Sequence, residues 1–278
     1  MRNALLIDLG GTNIRYAFFI ENTLSEISKE KIADKDFISF LTKLLERKKN
    51  KIDYLVIAAA GPNNQSSISL TNRDLLINAS ELKTKLNLKE CLLLNDWEAV
   101  AQSLSEINQE SFLPIRNGIP SNENTILIGP GTGLGVTLII NGQIIPTEFG
   151  NTLSPTRGIL ENFNLRDNEK FFSLENILSG PGIEKLYEEK FERKLSSEKI
   201  ISSALSGSKD ELFIIENFLK TLVSIINDLV LSFSCEKVIL GGSILNALKP
   251  ILMTEKILEY FPKEINPKYT ELIDRTQV

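Results

Sequence analysis

Short apolar runs separated by glycine-rich turns dominate the first sixty residues of the chain. An apolar run at residues 4–8 is followed by a Gly-Gly pair at 10–11 and by a second apolar run at 14–20. Runs of this length, bounded by turn residues, are typical of β-strands. The pattern therefore predicts a β-hairpin at the N-terminus, and a third run at residues 54–60 predicts a buried parallel strand.

Helical periodicity lies between further short strands, which is typical of an α/β protein. Asn95 and Asp96 directly follow one of these strands. In α/β sheets the carboxyl ends of the strands border the ligand-binding crevice, so this polar pair is a candidate functional site. The predicted helices are at residues 37–47, 79–86 and 97–104, and the predicted strand is at residues 91–94.

A second strand, glycine turn and strand occupy residues 125–128, 129–135 and 136–140, about 120 residues after the first hairpin. The repetition predicts an internally duplicated chain. The uncharged stretch 125–147 is long enough to cross a membrane, but its glycines would break a transmembrane helix. The last predicted elements are a strand-like segment at 143–146, a buried helix at 212–233, and a strand at 237–240 that leads into the Gly241-Gly242 turn.

The composition removes several classes of chemistry. The 278 residues include no His, 2 Cys, 31 Lys and Arg, and 36 Asp and Glu. Without imidazole there is no Ser-His or Cys-His nucleophile pair and no His-ligated zinc, so acid–base steps fall first to carboxylates. A formal charge of −5 argues against the basic face that nucleic acid requires. We therefore expect no nucleic-acid partner.

The cysteines and the N-terminus indicate a cytoplasmic protein. Cys91 and Cys235 are isolated in apolar contexts, which is typical of reduced, buried thiols rather than of a disulfide framework. The apolar run before Asp8 is too short for a secretory signal. We expect neither a membrane partner nor an extracellular location.

Both glycine clusters are followed by an apolar strand, which excludes two common nucleotide-binding motifs. A dinucleotide fingerprint needs a helix after the glycines, and a P-loop needs Gly-Lys-Ser/Thr. The remaining interpretation is a hairpin whose backbone N–H groups approach an anion, with the Thr12 and Thr132 hydroxyls as further donors. Asp8 is then either an acidic anchor for a water-bound Mg²⁺ or an ordinary turn-forming residue.

Eight motifs in register resemble the bacterial glucokinases, which are members of the actin/Hsp70/sugar-kinase ATPase superfamily. The motifs are DLGGTN at 8–13, AAAGP at 58–62, LTN at 70–72, LLNDWEAVA at 93–101, GPGTGLG at 129–135, TEFG at 147–150, LSGPG at 178–182 and LGGSI at 240–244. The resemblance implies an α/β fold of two RNase H-like lobes with a ligand cleft between them. It implies a smaller N-terminal lobe at 1–105 and a larger C-terminal lobe at 106–278.

The resemblance also implies ATP and Mg²⁺ as cofactors. It makes 8–13 the first phosphate loop, 129–135 the second, and 240–244 the adenosine loop, with Asp8 holding Mg²⁺ through water. The implied cofactor-binding residues are Asp8, Gly10, Gly11, Thr12, Asn13, Gly131, Thr132, Gly133, Gly241 and Gly242.

Asp96 corresponds to the catalytic base of the family, and Asn95 and Asn72 correspond to sugar-binding positions. The Asp96 carboxylate would accept the proton of the sugar's 6-hydroxyl as the γ-phosphoryl group is transferred. An alternative role for Asn95 and Asp96 is to cap the following helix, because both residue types are good N-caps. The two roles are compatible.

The sugar site departs from the family pattern. Glu148 matches the first sugar-binding glutamate, but Asn151 stands where the family has His; its amide donates hydrogen bonds and cannot titrate. The position of the second glutamate falls on Asn168, with Glu169 beside it. If this segment is a helix, the Glu169 side chain points about 100° away from that of Asn168. Glu169 then replaces the family's glutamate only if the alignment shifts by one residue.

Three functions follow from these observations. The first is phosphorylation of a hexose, most directly glucose to glucose 6-phosphate; for this function the family resemblance also implies a homodimer. The second is a sugar- or nucleotide-binding homologue with weak or no turnover, suggested by Asn151, by the uncertain glutamate and by a final helix of the family that the sequence does not contain after residue 274. The third is a kinase for an amino or N-acyl sugar.

Overall fold

The computed structural model of the protein describes residues 3–10, 13–31, 37–61, 66–70, 75–153, 156–263 and 265–278. The chain forms two compact units, Met1–Ser105 and Glu106–Val278. Each unit has its own apolar core. Both units combine a β-sheet with helices, so the predicted α/β class is confirmed.

The first unit contains strands β1 (Ala4–Leu9), β2 (Ile14–Ile20), β3 (Thr23–Leu24), β4 (Ser28–Glu30), β5 (Tyr54–Ala59), β6 (Ser67–Ser69), β7 (Leu76–Asn78) and β8 (Glu90–Asn95). One mixed sheet has the strand order β3-β2-β1-β5-β8, and β4 pairs with β2. A second, two-stranded sheet joins β6 to β7. The helices of this unit are α1 (Phe37–Glu46), α2 (Ala79–Lys85) and α3 (Asp96–Ser103).

The three parallel strands of the first sheet end at the same level. β1 pairs with β5 and β5 pairs with β8, so that Leu9, Ala59 and Asn95 lie side by side. The helix α1 buries Phe37, Leu41 and Leu44, a spacing that places them on one helical face. The predicted N-terminal hairpin is present, because β1 and β2 are antiparallel neighbours.

The second unit contains strands β9 (Thr125–Pro130), β10 (Leu134–Ile140), β11 (Gln143–Thr147) and β12 (Lys237–Leu240). These strands form a four-stranded sheet with the order β11-β10-β9-β12. The helices of the second unit are α4 (Thr156–Glu161), α5 (Gly180–Phe191), α6 (Ser197–Leu205), α7 (Lys209–Phe233), α8 (Ser243–Leu252), α9 (Glu255–Leu258) and α10 (Thr270–Arg275).

The two sheets repeat one arrangement. In each, three sequential antiparallel strands are followed by a strand that is parallel to the first of them: β5 beside β1, and β12 beside β9. The duplication predicted from the two glycine hairpins is therefore present in the strand order. The first sheet continues with β8, which is parallel to β5. In the described part of the second sheet no named strand takes the corresponding place.

Two local predictions are corrected by the structure. The predicted glycine turn 129–135 is shorter, because Gly129 pairs with Gly135 and Pro130 with Leu134 in the ladder. Only residues 131–133 form the turn. The helix assumed for Asn168 and Glu169 is wrong. Helix α4 ends at Glu161, and Asn168 closes a turn by accepting the backbone N–H of Lys170 at 3.0 Å, a local bond that competes with helix formation.

Both cysteines are buried and unpaired, as the sequence predicts. Burial raises the pKa of the Cys91 and Cys235 thiols to about 11, because the thiolate form is poorly solvated there. Within the described ranges, no helix combines the length and the apolarity that crossing a bilayer requires.

Candidate functional site

The first candidate region is the carboxyl edge of the parallel strands in the first unit. The turn after β1 is closed by Gly10, whose N–H donates to the Asn13 carbonyl at 3.0 Å. Of the residues assigned to this region by sequence, Gly11, Thr12 and Asn72 lie outside the described residues. The described part therefore holds Asp8, Gly10 and Asn13 at one end of the edge and Asn95 and Asp96 at the other.

Asp8 is paired with an arginine that the sequence analysis missed. The hairpin register places Arg15 directly opposite Asp8, and its guanidinium donates to the Asp8 carboxylate at 2.7 Å. Both side chains are about half exposed, at 50% for Arg15 and 48% for Asp8. The pairing of Asp8 with Arg15 was predictable from the sequence, because a tight hairpin pairs residues at a fixed separation. Asp8 thus presents a carboxylate with a cation beside it.

The ion pair bears on the fit of Mg²⁺ at this end of the edge. A metal in direct contact with the Asp8 carboxylate would compete with Arg15 for the same oxygens. A Mg²⁺ that keeps its water shell needs only an acceptor for water. The Asp8 carboxylate fits that role. Among the described residues, no group of three His, Cys, Asp or Glu side chains is arranged to hold a metal.

Asn95 builds the other end of the edge by capping helix α3. Its side-chain oxygen accepts the N–H groups of Trp97 at 2.9 Å and Glu98 at 3.4 Å, and the Glu98 carboxylate accepts the Asn95 N–H at 3.1 Å. This reciprocal capping box confirms the capping role predicted for Asn95. Asn95 is buried, and its amide nitrogen, which bonds to none of the described residues, can donate to a ligand.

Asp96 is the first residue of α3 and is partly exposed. One carboxylate oxygen accepts the Trp97 N–H at 2.9 Å, which orients the side chain at the helix N-terminus. Strand β8, which Asp96 follows, and strand β1, which contains Asp8, are two positions apart in the sheet, a separation of about 10 Å at the usual strand spacing. The edge therefore carries two carboxylates with different neighbours: Asp8 beside a guanidinium, and Asp96 at a helix start.

The second candidate region is the glycine turn between β9 and β10. The Gly131 N–H closes the turn on the Gly133 carbonyl at 2.8 Å, and the Gly131 carbonyl accepts the N–H of Gly180 at 2.8 Å. A side chain on Gly131 would meet open space, so the turn surface is accessible. Thr132 at its tip is exposed. Helix α5, which starts at Gly180, therefore has its N-terminus directly at the turn.

The Gly241-Gly242 turn lies at the same edge of the second sheet. The Gly241 N–H donates to the Ile128 carbonyl at 3.0 Å. Gly242 has a φ of +97°, and a Cβ at this position would lie 3.0 Å from the Pro130 carbonyl oxygen. Only glycine tolerates both conditions. Helix α8 begins at the next residue. Two helix N-termini and two glycine turns thus converge here, an arrangement that favours anions.

Glu148 and Asn151 are brought together on the segment that follows β11. The Asn151 amide donates to the Glu148 carboxylate at 3.1 Å, and both side chains are exposed. Gly150 allows this segment to approach β10, because a Cβ at that position would lie 2.4 Å from the Leu134 carbonyl. The pair forms a short polar surface with one carboxylate and one amide.

Glu175 is a second carboxylate that the sequence analysis missed. Its oxygen lies 2.7 Å from where a Cβ on Gly133 would be, so the carboxylate stands over the glycine turn. Glu175 belongs to the short 3₁₀ helix Leu174–Asn176, whose first N–H donates to the Thr152 carbonyl at 3.3 Å. This bond ties Glu175 to the Glu148 segment. The sequence signal was that Glu175 is the nearest acid before the LSGPG motif.

Glu169 has different surroundings. It is exposed in a turn whose two flanking residues, Asn168 and Lys170, bind Glu189 of helix α5 at 3.5 and 2.6 Å. No contact of Glu169 with the glycine turn or with Glu148 is found in the described part of the chain. The structure therefore brings Glu148, Asn151 and Glu175 to the turn, and leaves Glu169 apart from it.

Comparison with known proteins gives consistent matches along the chain. A sequence model of the family described as Glucokinase matches residues 5–273. The glucokinase of Pseudomonas paraeruginosa is 27% identical over 262 residues, which cover 86% of this chain and 75% of that protein.

Solved structures match the whole chain as well. A glucokinase from an Antarctic psychrotroph has a TM-score of 0.78 at 22% identity, covering 100% of this chain and 94% of that one. The glucokinase of Balamuthia mandrillaris, solved in complex with glucose, has a TM-score of 0.78 at 21% identity, covering 99% of this chain and 88% of that one. At these identities the structural similarity establishes the fold.

Proposed function

The chain belongs to the glucokinase family, and from that premise we propose that it transfers the γ-phosphoryl group of ATP to the 6-hydroxyl of a hexose, with glucose as the first substrate. Its fold is the two-lobe α/β fold of the actin-like ATPases, as the sequence predicts. The observation that carries the proposal is Asp96, held at the start of α3 by the Asn95 cap on the same sheet edge as the Asp8 turn.

We assign Asp96 as the general base. Its carboxylate accepts the proton of the sugar 6-hydroxyl while the oxygen forms its bond to the γ-phosphorus and the bond to the ADP oxygen breaks. The Trp97 N–H bound to Asp96 fixes the carboxylate in place. Because the transition state of phosphoryl transfer is loose, positioning contributes more to the rate than the base does.

The phosphates are assigned to the glycine turns. Backbone N–H groups at 132–133, the exposed Thr132 hydroxyl, and the N-termini of α5 and α8 supply donors and positive dipole ends. The Gly241-Gly242 turn is assigned to the adenosine end. Mg²⁺ neutralises phosphate charge when it is bound, and Asp8 would hold it through water. Arg15, beside Asp8, adds a cation at the phosphate end.

The family resemblance assigns sugar hydroxyls to polar side chains in each of the two units. The Asn95 amide nitrogen donates, and the Glu148 carboxylate accepts. We propose Glu175 as the second glutamate in place of Glu169, because it stands over the glycine turn and is tied to the Glu148 segment. Asn151 orients Glu148 through their hydrogen bond, and Asn72 remains a sugar-binding residue by family resemblance.

A coupled assay of ADP release with Mg-ATP tests the proposal against a panel of hexoses. We expect glucose-stimulated turnover in the parent protein. We expect a loss of at least a hundredfold in kcat for Asp96→Asn, which is the range of general-base catalysis. An absence of sugar-stimulated turnover overturns the kinase assignment, and full activity in Asp96→Asn overturns the assignment of the base.

The Asn151–Glu148 hydrogen bond favours one second candidate, a kinase for an amino or N-acyl sugar. The amide occupies one side of the Glu148 carboxylate and so changes which sugar substituents that carboxylate accepts. The same panel, extended to these sugars, ranks the substrates by kcat/KM. A sugar-dependent rise in melting temperature without ADP release would instead identify a binding protein without turnover. We propose a homodimer on family grounds, and sedimentation equilibrium tests it.

A further inference from the structure

Gly180 lies where three helices of the second unit begin. It is the first residue of α5, and its N–H donates to the Gly131 carbonyl of the glycine turn. A Cβ on Gly180 would lie 3.4 Å from the Ser197 hydroxyl oxygen and 3.5 Å from the Ile244 Cδ1. Ser197 is the first residue of α6, and Ile244 is the second residue of α8. The starts of α5, α6 and α8 therefore meet beside the glycine turn.

This junction lies between the two turns that are assigned to the nucleotide. On one side Gly180 is bonded to Gly131, in the turn assigned to the phosphates. On the other side it lies next to Ile244, two residues after Gly242 in the turn assigned to adenosine. In ATP the ribose joins the phosphates to the adenine. The side chains beside Gly180 are therefore placed where the ribose of a nucleotide bound across both turns would lie.

Glu184 brings a carboxylate to this junction. It follows Gly180 by about one turn of α5, so the two residues lie on the same face of the helix. One Glu184 carboxylate oxygen accepts the Ser197 N–H at 2.8 Å, which fixes the side chain beside the start of α6. Within the described ranges, the second Glu184 oxygen and the Ser197 hydroxyl have no hydrogen-bond partner. Both residues are half-buried, so an acceptor and a hydroxyl are available to a ligand.

We propose that Glu184 and Ser197 bind the ribose hydroxyls of the nucleotide, with the second Glu184 oxygen as the acceptor. The assignment rests on the proposed kinase function and adds two residues to its nucleotide site. A carboxylate suits ribose because it only accepts hydrogen bonds and the ribose hydroxyls can donate them. Acidic residues bind ribose hydroxyls in the same way in dinucleotide-binding folds. The site therefore discriminates against nucleotides that lack these hydroxyls, since hydrogen bonds to a charged acceptor are the strong ones.

Isothermal titration calorimetry of the full chain with ADP and with 2′,3′-dideoxy-ADP tests the ribose contact and requires no turnover. We expect the parent protein to bind the dideoxy nucleotide about tenfold more weakly or worse, because both ribose hydroxyls are missing. Equal affinity for the two nucleotides overturns the ribose assignment, whereas the kinase assignment then still depends on the ADP-release assay. An absence of ADP binding overturns both.

Three variants separate ribose binding from a purely structural role of Glu184. Glu184→Gln keeps one oxygen for the Ser197 N–H but replaces the second oxygen by an amide donor. We expect it to weaken ADP binding about fivefold or more, and to change the affinity for the dideoxy nucleotide by less than about twofold. Ser197→Ala keeps the backbone N–H that Glu184 accepts, and should show the same pattern at about threefold.

The matched control is Glu188→Gln, one further turn along α5, where the carboxylate pairs with Lys194 at 3.3 Å. This variant should bind both nucleotides as the parent does. If Glu184→Gln weakens the binding of ADP and of the dideoxy nucleotide equally, the Glu184 carboxylate only caps α6 and the proposal is wrong. Equal effects of Glu184→Gln and Glu188→Gln also overturn it, because they reflect the loss of charge rather than a contact.

Discussion

The Asp8–Arg15 ion pair lies beside the first glycine turn. Both side chains are about half exposed, and ion pairs in such positions contribute little to the free energy of folding. Their cross-strand register nevertheless fixes a guanidinium beside the first glycine turn. We infer that Arg15 serves the phosphate end of the site, a role that its chemistry suits because guanidinium binds phosphate oxygens in a bidentate manner.

Glu175 and Glu169 provide a residue-scale test of the sugar site. We expect Glu175→Gln to raise the KM for the sugar about tenfold or more, because a hydrogen bond to a charged acceptor contributes about 1.5–3 kcal/mol. Glu169→Gln is the matched control, six residues earlier and exposed in its turn. Steady-state kinetics with varied sugar measures both.

The expected contrast is specific to the sugar. The KM for ATP should change by less than twofold in either variant. If Glu169→Gln raises the sugar KM and Glu175→Gln does not, the alignment shifted by one residue, which assigns Glu169 to the sugar, is right and the assignment of Glu175 is wrong.

At the scale of elements, helices α5 and α7 are joined by a buried polar contact. The Tyr187 hydroxyl donates to the Glu211 carboxylate at 2.6 Å, and Ser208 donates to the same carboxylate. Burial, together with the bond to Glu211, raises the pKa of Tyr187 to about 12. The Ser208 and Tyr187 hydrogen bonds hold the pKa of Glu211 below its ordinary value. The contact links the start of α7 to the middle of α5 within the core.

We expect Tyr187→Phe to lower the free energy of unfolding by about 1.5–3 kcal/mol at pH 7, because Glu211 loses a donor while remaining buried. The folded-state pKa of Glu211 is depressed, so its contribution is present above the unfolded pKa and is lost as the pH falls through the folded value. The difference between parent and variant should therefore shrink below about pH 4.5. Urea unfolding at several pH values measures it.

Tyr269→Phe is the control for this substitution, because Tyr269 is 53% exposed. It should leave the unfolding free energy within about 0.5 kcal/mol of the parent value. A difference for Tyr187→Phe that persists undiminished at pH 3 would show that the carboxylate charge of Glu211 is not its source.

At the scale of the whole molecule, two separate apolar cores lie in two compact units. The single Trp of the chain, Trp97, is in the first unit, whereas most of the helical residues are in the second. Trp fluorescence therefore reports on the first unit, and far-UV circular dichroism reports chiefly on the second. These two probes allow the units to be followed separately in one sample.

We expect the two probes to give urea transitions that do not coincide, because units with separate cores unfold with separate free energies. Glucose and Mg-ATP should shift both transitions to higher urea if both units contribute to ligand binding. Coincident transitions in the absence of ligand would show that the chain unfolds as one cooperative body. Fluorescence and circular dichroism recorded on the same samples decide between these outcomes.

The local elements were largely determined by the sequence itself. The hairpin β1-β2, the strand β12 and the capping of α3 by Asn95 depend on residues close together in the chain, where apolar period and turn chemistry act directly. The family motifs likewise depend on order along the chain. For this reason the amino-acid sequence alone was enough to predict the fold class and the glucokinase family.

Only the tertiary structure decided which distant residues meet. Glu175 reaches Gly133 across more than forty residues, because the Leu174–Asn176 turn binds back on Thr152. The segment at Asn168 and Glu169 is a turn rather than a helix because Asn168 bonds locally to Lys170. Such contacts depend on how chain segments pack in three dimensions, and a periodic pattern along the chain does not predict them.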